Sequence, residues 1–428
     1  MKLVVCLEGQ IAGSLTMSGS QPRFAYHEEW LALPGAYPLS ASLPLQARPV
    51  TGTPVANYLW GLLPDNERVL AAWAAGFQVS PRNPVALLSH VGEDCAGAVQ
   101  FVREDRLSAV LNASRAAEVE WITDTELRDR IARLASNDAA GRASAEEGQF
   151  SLAGVQSKTA LYRDPANGRW GIPSGRTPTT HILKPAINGF DGFAANEHFC
   201  LTLARKLGLA AAATEWRMIG EVPTLIVERY DRVRIGSRWY RIHQEDCCQA
   251  LNVHPAVKYE NDGGPGFAQI MPLLEAADDP DADRDRLMMG ACLVYLLAAT
   301  DAHAKNFSLL YGRGASRPNM RLAPFYDIAS AWPYPRALPA QKLKLAMRVG
   351  RHRGLREIQP RHFADLARAC RYPPEKMLDL LRGLATRLPD EASSLAAEVG
   401  RKGGVASVLS AIVDGVSRQS AAVLRQLG

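Results

Sequence analysis

Between Tyr295 and Ala331 the chain sets three oxygen-bearing side chains at spacings that suit phosphoryl chemistry. An apolar run from Tyr295 to Thr300 gives way to Asp301-Ala302-His303-Ala304-Lys305-Asn306, and a second apolar run, Phe307 to Tyr311, follows at once. After a Gly/Arg/Ser-rich turn the chain returns through Arg321 to Tyr326 and ends on Asp327. Phosphoryl transfer asks little covalent work of a protein. It needs a carboxylate near the attacking hydroxyl and oxygen ligands that hold magnesium on the phosphates. Asp301 would orient the hydroxyl or accept its proton, while Asn306 and Asp327 would bind the metal. The structural alternative is that Asp301 caps a helix end, His303 is an ordinary loop histidine and Asp327 starts a turn. D-x-H-x-x-N is short, and spacing alone does not decide.

These side chains need elements to position them. The pattern predicts a buried helix, a polar loop, and a two-stranded ribbon with Asp327 at its far end. Asp301 and Asn306 stand five apart, the offset of a kinase catalytic loop, and that chemistry also requires a phosphate lid, a lysine and an adenine-facing edge. Phe150 to Leu161 reads as strand-turn-strand around Gly154, neither Walker A nor G-x-G-x-x-G. Such a turn would drape the backbone N–H groups of Ala153, Gly154, Val155 and Gln156 over phosphates; a plain hairpin is the alternative. Thr179 to Lys184 alternates as a half-buried strand and delivers Lys184. Phe193 to Leu207 reads as an amphipathic helix stopped by Gly208. Glu197, assigned to its first turn, either complements the dipole or reaches Lys184. Thr224 to Arg232 is an apolar strand with a charged end, so Glu228, Arg229 and Tyr230 are the expected adenine-facing edge. In His243 to Leu251, read as a helix start, Gln244 or Asp246 would either touch ribose or cap the helix.

The remaining chain bounds the answer. Its 428 residues suit two or three domains, and 47% hydrophobic with 22% charged residues is an ordinary globular composition. A net charge of +5 is too mild to imply nucleic-acid binding by itself. From Lys342 to Arg371, nine Lys and Arg face only Glu357 and Asp365, a local net of about +7. Seven cysteines show no C-x-x-C and no zinc spacing, and an odd count without a secretory signal argues for the reducing cytoplasm. Leu3 to Leu7 is too short for a signal segment. Leu287 to Thr300, bounded by Arg286 and Asp301, falls short of the roughly 20 residues a membrane span needs and is expected to be a core helix. In the first hundred residues, Glu8-Gly9-Gln10 marks a hairpin, Phe24 to Tyr26 and Leu39 to Leu43 are strand candidates, and Pro64-Asp65 breaks a helical stretch from Pro54 to Ala75. Val85 to Leu88 is expected within a short helix and Gly97 to Val102 in a strand, with Trp30, Trp60 and Trp73 as core. Leu107 to Leu134 reads as a charged helical connector, Ala135 to Gly148 as a mobile loop, and Glu275 to Asp285 as an acidic solvated connector.

The order of these parts resembles the HipA-type serine/threonine toxin kinases of bacterial toxin–antitoxin systems. The matching stretches run from Pro-Leu-Ser-Ala-Ser-Leu-Pro-Leu (38–45), Leu-Leu-Pro-Asp (62–65) and Gly-Ala-Val (97–99) through Ser-Leu-Ala-Gly-Val-Gln-Ser-Lys-Thr-Ala-Leu (151–161) and Pro-Thr-Thr-His-Ile-Leu-Lys (178–184). They continue with Asn-Glu (196–197), Val-Glu-Arg-Tyr-Asp-Arg (227–232), Gln-Glu-Asp-Cys-Cys-Gln (244–249), Lys-Tyr-Glu-Asn-Asp-Gly-Gly-Pro-Gly (258–266), Ala-Thr-Asp-Ala-His-Ala-Lys-Asn-Phe-Ser (299–308) and Pro-Phe-Tyr-Asp-Ile (324–328). The resemblance implies an α+β, two-lobed protein-kinase-like fold: a small α+β subdomain over 1–110, a kinase-like N-lobe over 111–240 and an α-helical C-lobe over 241–428. It implies ATP and magnesium as cofactors, Asp301 as catalytic base with His303 and Lys305 on the same loop, Asn306 and Asp327 as metal ligands and Lys184 on the phosphates. Ser151 matches the family's autophosphorylated serine, whose modification ejects the loop and silences the kinase. Gly154-Val155-Gln156-Ser157 departs from the commoner Gly-Ala-Gln-Glu, which leaves Ser157 as a second candidate phosphosite. Family members phosphorylate proteins, aminoacyl-tRNA synthetases among them, halting translation and promoting dormancy. A HipB-type DNA-binding antitoxin restrains them and joins them on operator DNA. The basic segment 342–371 would then either face DNA or form a solvated helix face. Two other readings remain open: an aminoglycoside-type small-molecule phosphotransferase, and a catalytically idle corepressor.

Overall fold

The computed structural model describes residues 1–111, 118–136, 151, 154, 156–187, 189–315, 318–400 and 405–428. The chain forms two compact units. One comprises Met1–Pro185, Arg217–Ala256 and Leu309–Met320, the other Ala186–Trp216, Val257–Ser308 and Arg321–Gly428.

The first unit opens with an antiparallel sheet in which Val50–Thr51, Gln21–Tyr26, Gln10–Ser18, Lys2–Leu7 and Gln100–Val102 lie side by side in that order. The hairpin expected at residues 8–10 is present. Glu8 and Gly9 take φ of 50° and 74°, the left-handed pair that a two-residue turn needs to follow the strand twist. The helical stretch breaks where expected, into Thr53–Leu62 and Glu67–Phe77, with the Asn66 side chain capping the second piece. Pro84–Val91 is the third helix, Trp30 is fully buried and Trp73 nearly so, while Trp60 is half-buried. Two expectations fail in detail. Leu39 to Leu43 is irregular, with a single Ser40–Leu43 bridge, because Ser40 and the Ala41 N–H are spent on Glu245 rather than on a neighbouring strand. The strand after Gly97 starts only at Gln100, since Gly97 takes φ of 77° and a Cβ there would sit 2.5 Å from the Gln244 nitrogen.

A second sheet in this unit runs Val222–Glu228, His181–Pro185, Thr159–Arg163, Trp170–Ser174 and Glu118–Trp121. The helix Asp124–Ser136 covers it, and Leu127, Ile131 and Leu134 pack on Leu161, Trp170, Ile172, Leu183 and Ile226. The connector read as mostly helical from Leu107 is helical over Leu107–Leu111 and Asp124–Ser136, with an edge strand between them in which Val119 and Trp121 pair with Trp170–Ser174. The loop read between Ala135 and Gly148 lies outside the described residues from 137 onward.

In the second unit the helix Pro280–Leu296 runs into the polar loop, and the helices Phe193–Lys206, Pro360–Ala369, Pro374–Gly400 and Ala406–Leu427 make this unit α-rich. The acidic stretch 275–285 is solvated at Glu275, Asp278, Asp279 and Asp281, as expected, but it runs into the helix itself and two of its residues have structural tasks. Asp279 caps the helix at Ala282, and Asp283 is buried, accepting the Leu322 N–H at 2.7 Å and pairing with Arg286. Gly290 leaves room for the Phe325 ring, which would lie 2.6 Å from a Cβ there, so the return toward Asp327 passes close against the helix backbone. The basic segment is a hairpin, Lys344–Val349 with His352–Gly354, followed by Pro360–Ala369, rather than one helix face; all of its Lys and Arg but Arg353 are exposed. All seven cysteines are free and buried, and no helix among the described residues is long and apolar enough to cross a membrane.

Glu245 makes one feature of the first unit sensitive to pH. It is buried, with Ser40 Oγ, the Ala41 N–H (2.8 Å) and Tyr311 OH (2.6 Å) donating to it. Burial pushes its carboxyl up from 4.5 to about 7 against the opposing effect of those three donors. A carboxyl raised on folding holds its proton more tightly in the folded chain. Its contribution is therefore fully present below about pH 4.5 and is lost as pH rises through about 7. Glu245→Gln is expected to flatten the fall in urea-unfolding free energy across that window, and an unchanged slope would refute the assignment.

Candidate active site

Asp301 lies five residues past the end of the buried helix Pro280–Leu296 and is itself exposed, whereas residues 302–308 are all buried. Ala298 takes φ of 51° as the helix ends, and Ala304–Asn306 form one 3-10 turn. The turn is closed by side chain and backbone together: Asn306 Nδ2 donates to the Asp301 carbonyl at 2.9 Å, and the His303 N–H to the same carbonyl at 2.8 Å. Asn306 thus fixes the peptide that carries Asp301, and its amide oxygen is the group left for a cation. The returning strand ends at Leu322, before Asp327, and the irregular segment beyond it is tied to the loop by Tyr326, whose hydroxyl donates to the Lys305 carbonyl and meets Ser308 Oγ, each at 2.6 Å. The next residue, Asp327, is half-buried with φ of 59°, a conformation that Asp tolerates better than most residues. The helix-cap alternative for Asp301 is not what the loop displays, because its side chain receives a different donor.

That donor is Tyr259. Its hydroxyl donates to Asp301 Oδ1 at 2.6 Å, and its ring meets His303 edge-on at 4.9 Å. In the sequence Tyr259 stood only within one of the stretches that carry the family resemblance, with no role assigned to it. The signal available was its place in Lys-Tyr-Glu-Asn-Asp-Gly-Gly-Pro-Gly, where Gly264 is pressed against the Val257 carbonyl, 2.1 Å from where a Cβ would stand.

The expected nucleotide residues of the first unit fall into three groups. Lys184 is buried on His181–Pro185, opposite Leu225. Gly154 takes φ of 110° and bridges Pro64, its carbonyl accepting the Asp65 N–H at 3.2 Å, while Gln156 Nε2 donates to the Pro185 carbonyl at 3.0 Å. Ala153 and Val155 lie outside the described residues. Ser151 is fully buried; its N–H donates to the Asp94 carbonyl and its Oγ to the Leu62 carbonyl at 2.8 Å. The described stretch is therefore not a simple strand-turn-strand, since regular pairing starts at Thr159.

At the far strand end, Glu228 is exposed and Tyr230 half-buried, with Tyr230 OH donating to Gln244 Oε1. Arg229 differs from both. It is buried, its guanidinium is committed to Asp231, Thr179 and Cys95, and its N–H donates to Thr180, so it supports this edge from behind. Gln244 stands on the strand His243–Asp246 rather than in a helix start, and Asp246 accepts from the Gln249 N–H in a capping box. For Asp246 the capping alternative holds. Glu197, on Phe193–Lys206 in the second unit, lies one turn beyond the first and is buried, so it does not serve the helix dipole as expected.

The donor set fits a nucleotide-bound cation. Asn306 and Asp327 offer hard oxygens, the ligands magnesium takes beside substrate phosphates. Among the described residues no group of three or more His, Cys, Asp or Glu could hold a metal, so phosphate oxygens would have to complete the seat.

The fold is of the protein-kinase-like class, mixed helix and sheet. A chain of the solved Shewanella oneidensis complex of HipA, HipB and its operator DNA superposes with a TM-score of 0.83, covering 99% of this chain and 97% of that one at 24% identity. The HipA N-terminal domain model matches residues 3–102 and the HipA-like C-terminal domain model residues 150–392. This chain belongs to the HipA family. Among its relatives are the putative kinase Y4mE of Sinorhizobium fredii, 36% identical over 93% of this chain and 91% of that protein, and the serine/threonine-protein kinase toxin HipA of Shewanella oneidensis, 28% identical over 88% and 85%.

Tyr326→Phe removes both bonds that tie the loop to the segment before Asp327 and leaves the buried Lys305 carbonyl without this donor. It is expected to cost about 2 kcal/mol in urea unfolding, and a loss under about 0.5 kcal/mol would contradict the tie described above.

Proposed function

We propose that this chain is an ATP- and magnesium-dependent serine/threonine protein kinase acting as the toxin of a toxin–antitoxin pair. The observation that carries the reading is the contrast at Asp301: one exposed carboxylate at the mouth of a loop otherwise buried, its peptide pinned by Asn306 and its Oδ1 held by Tyr259. Membership of the HipA family supports it.

In this mechanism Asp301 orients a seryl or threonyl hydroxyl and takes its proton as the new O–P bond forms and ADP departs. Lys184 and the backbone around Gly154 hold phosphate oxygens, and Glu228, Tyr230 and Gln244 line the nucleoside edge. Asn306 and Asp327 would hold a magnesium ion, which when bound would supply neutralisation of charge on the phosphates. His303 and Lys305 shape the loop from within, as both are buried. The subdomain over 1–110 carries the phosphate loop's supports, Leu62 and Asp94.

Ser151 is the modification site of this reading. Its hydroxyl is fully buried and donates to the Leu62 carbonyl, a bond that a bulky dianionic phosphate ester would lose, so modification would expel the segment. Ser157, half-buried, is the second candidate. The acceptor is a protein, with an aminoacyl-tRNA synthetase the leading class. The chain acts in the cytoplasm with a HipB-type antitoxin and meets operator DNA only through it.

Expression of the wild type is expected to arrest growth, and incubation with Mg-ATP to place a phosphate on Ser151 by mass spectrometry. Asp301→Asn should abolish both. Equal toxicity of the two forms would favour the corepressor reading, and phosphate found only on an aminoglycoside would favour the small-molecule one. A second variant isolates the orienting donor. Tyr259→Phe is expected to lower kcat about tenfold with little change in KM for ATP, since one hydrogen bond to the acting carboxylate is lost while the nucleotide contacts remain. A change in KM alone would remove Tyr259 from this role.

A further inference from the structure

The backbone carbonyl of Asp94 receives the Ser151 N–H, but its heavily partnered carboxylate has been given no task in the chemistry described so far. Arg232 Nη2 reaches its Oδ1 at 2.9 Å, Arg241 Nη2 the same oxygen at 3.0 Å, and Arg229 Nη1 lies 3.5 Å from Oδ2. The Thr179 N–H and hydroxyl both donate to Oδ2, at 3.0 and 2.6 Å. Burial disfavours the charge, yet the three guanidiniums and Thr179 hold the carboxyl far below its ordinary value, so it is an anion at any physiological pH.

What these partners touch is the informative part. Thr179 Oγ1 also accepts from Arg229 Nη1 at 2.8 Å, and the Arg229 N–H donates to the Thr180 carbonyl at 3.0 Å. Arg229 and Arg232 converge on Asp231 as well, and Asp231 in turn accepts the Gly97 N–H at 2.7 Å and Gln244 Nε2 at 3.4 Å. Gln244 is the residue that receives the Tyr230 hydroxyl. One buried anion from the amino-terminal subdomain thus braces the lead-in to the Lys184 strand and the corner 228–232, and through Asp231 the corner holds Gln244. Arg232 also donates to the Gly97 and Cys95 carbonyls, so the brace is anchored in subdomain backbone. Regular pairing stops at Glu228, opposite His181, and resumes at Arg232, opposite Arg241, so the brace acts on the corner between two ladders.

We propose that Asp94 is a positioning residue for nucleotide binding: acting through Thr179, Arg229 and Arg232, it fixes the Glu228–Tyr230 edge and Gln244 in the register that receives adenosine. The amino-terminal subdomain is then a working part of the nucleotide site. This rests on the kinase reading above. Backbone and side-chain groups spaced for a flat ring lose affinity when displaced by a fraction of an ångström, whereas the transferring phosphate is held by other residues. The effect therefore falls on nucleotide affinity and leaves turnover near its original value.

The test is titration of the full chain with a fluorescent ATP analogue and Mg2+, alongside KM and kcat for ATP. Asp94→Asn keeps the shape and removes the charge; it is expected to weaken nucleotide binding and raise KM about tenfold, with kcat within about twofold. Thr179→Val removes only the bridging hydroxyl and is expected to weaken binding about threefold; it decides the matter should Asp94→Asn fail to fold. Arg106→Met breaks the adjacent Arg106–Glu93 pair outside the brace and is expected to bind nucleotide like the wild type even where stability declines. Wild-type binding by the folded Asp94→Asn, or by Thr179→Val in its place, overturns the inference and leaves the kinase reading standing. Equal weakening in Arg106→Met also overturns it, since a general loss of stability would then suffice. Failure of the wild type itself to bind Mg-ATP overturns the kinase reading and the inference with it.

Discussion

An ion taken out of water without a partner costs several kcal/mol, and the first unit is built around satisfying that constraint at Asp94 and Asp231. Neither carboxylate is more than a few per cent exposed, and neither is Arg229 or Arg232. The four can stay charged there only if their geometry is nearly complete. Every backbone carbonyl recruited to finish it, at Cys95, Gly97 and Thr179, becomes fixed as well. The guanidiniums feel each other: burial together with the neighbouring Arg229 lowers Arg232 to about 10, still well above neutrality. Segments more than a hundred residues apart in the chain are held by this one centre, and the strands with little ladder of their own inherit their positions from it.

The second unit meets a related constraint on a smaller scale. A chain buried from Ala302 to Ser308 must find partners for its peptide groups without a long ladder, and it does so with side chains: Asn306 for the Asp301 carbonyl and Tyr326 for that of Lys305. The residues that satisfy the backbone are therefore the residues that aim the carboxylates. Asp301 sits on a peptide that Asn306 closes, and Asp327 follows directly on Tyr326. Loop rigidity and the chemistry expected of the loop come from the same hydrogen bonds.

Features with a local cause were legible in the sequence. The turn at Glu8-Gly9, the helix break before Asn66, the Gly208 stop and the five-residue spacing of Asp301 and Asn306 all depend on neighbours a few residues away. What was missed depends on distant ones. Asp94 pairs with residues 135 and more positions later, and nothing in the run Gly92-Glu93-Asp94-Cys95 marks it as buried. Asp283 looked solvated because its neighbours are acidic, yet the helical turn points it at Leu322. Tyr259 stood within a stretch that carried the family resemblance, and its partner Asp301 lies far along the chain. Arg229 was taken with the adenine-facing edge, and only its burial reveals that it braces that edge from behind.

The seven buried cysteines carry a consequence of a different kind. Burial pushes the thiols of Cys6, Cys95, Cys200 and Cys370 up to about 12, so at neutral pH almost none of any of them is thiolate, the form that oxidants and disulfides attack. Cys247 is displaced in the same direction, again chiefly by burial. These thiols are therefore slow toward peroxide and thiol exchange while the chain stays folded, and become open to both once it unfolds.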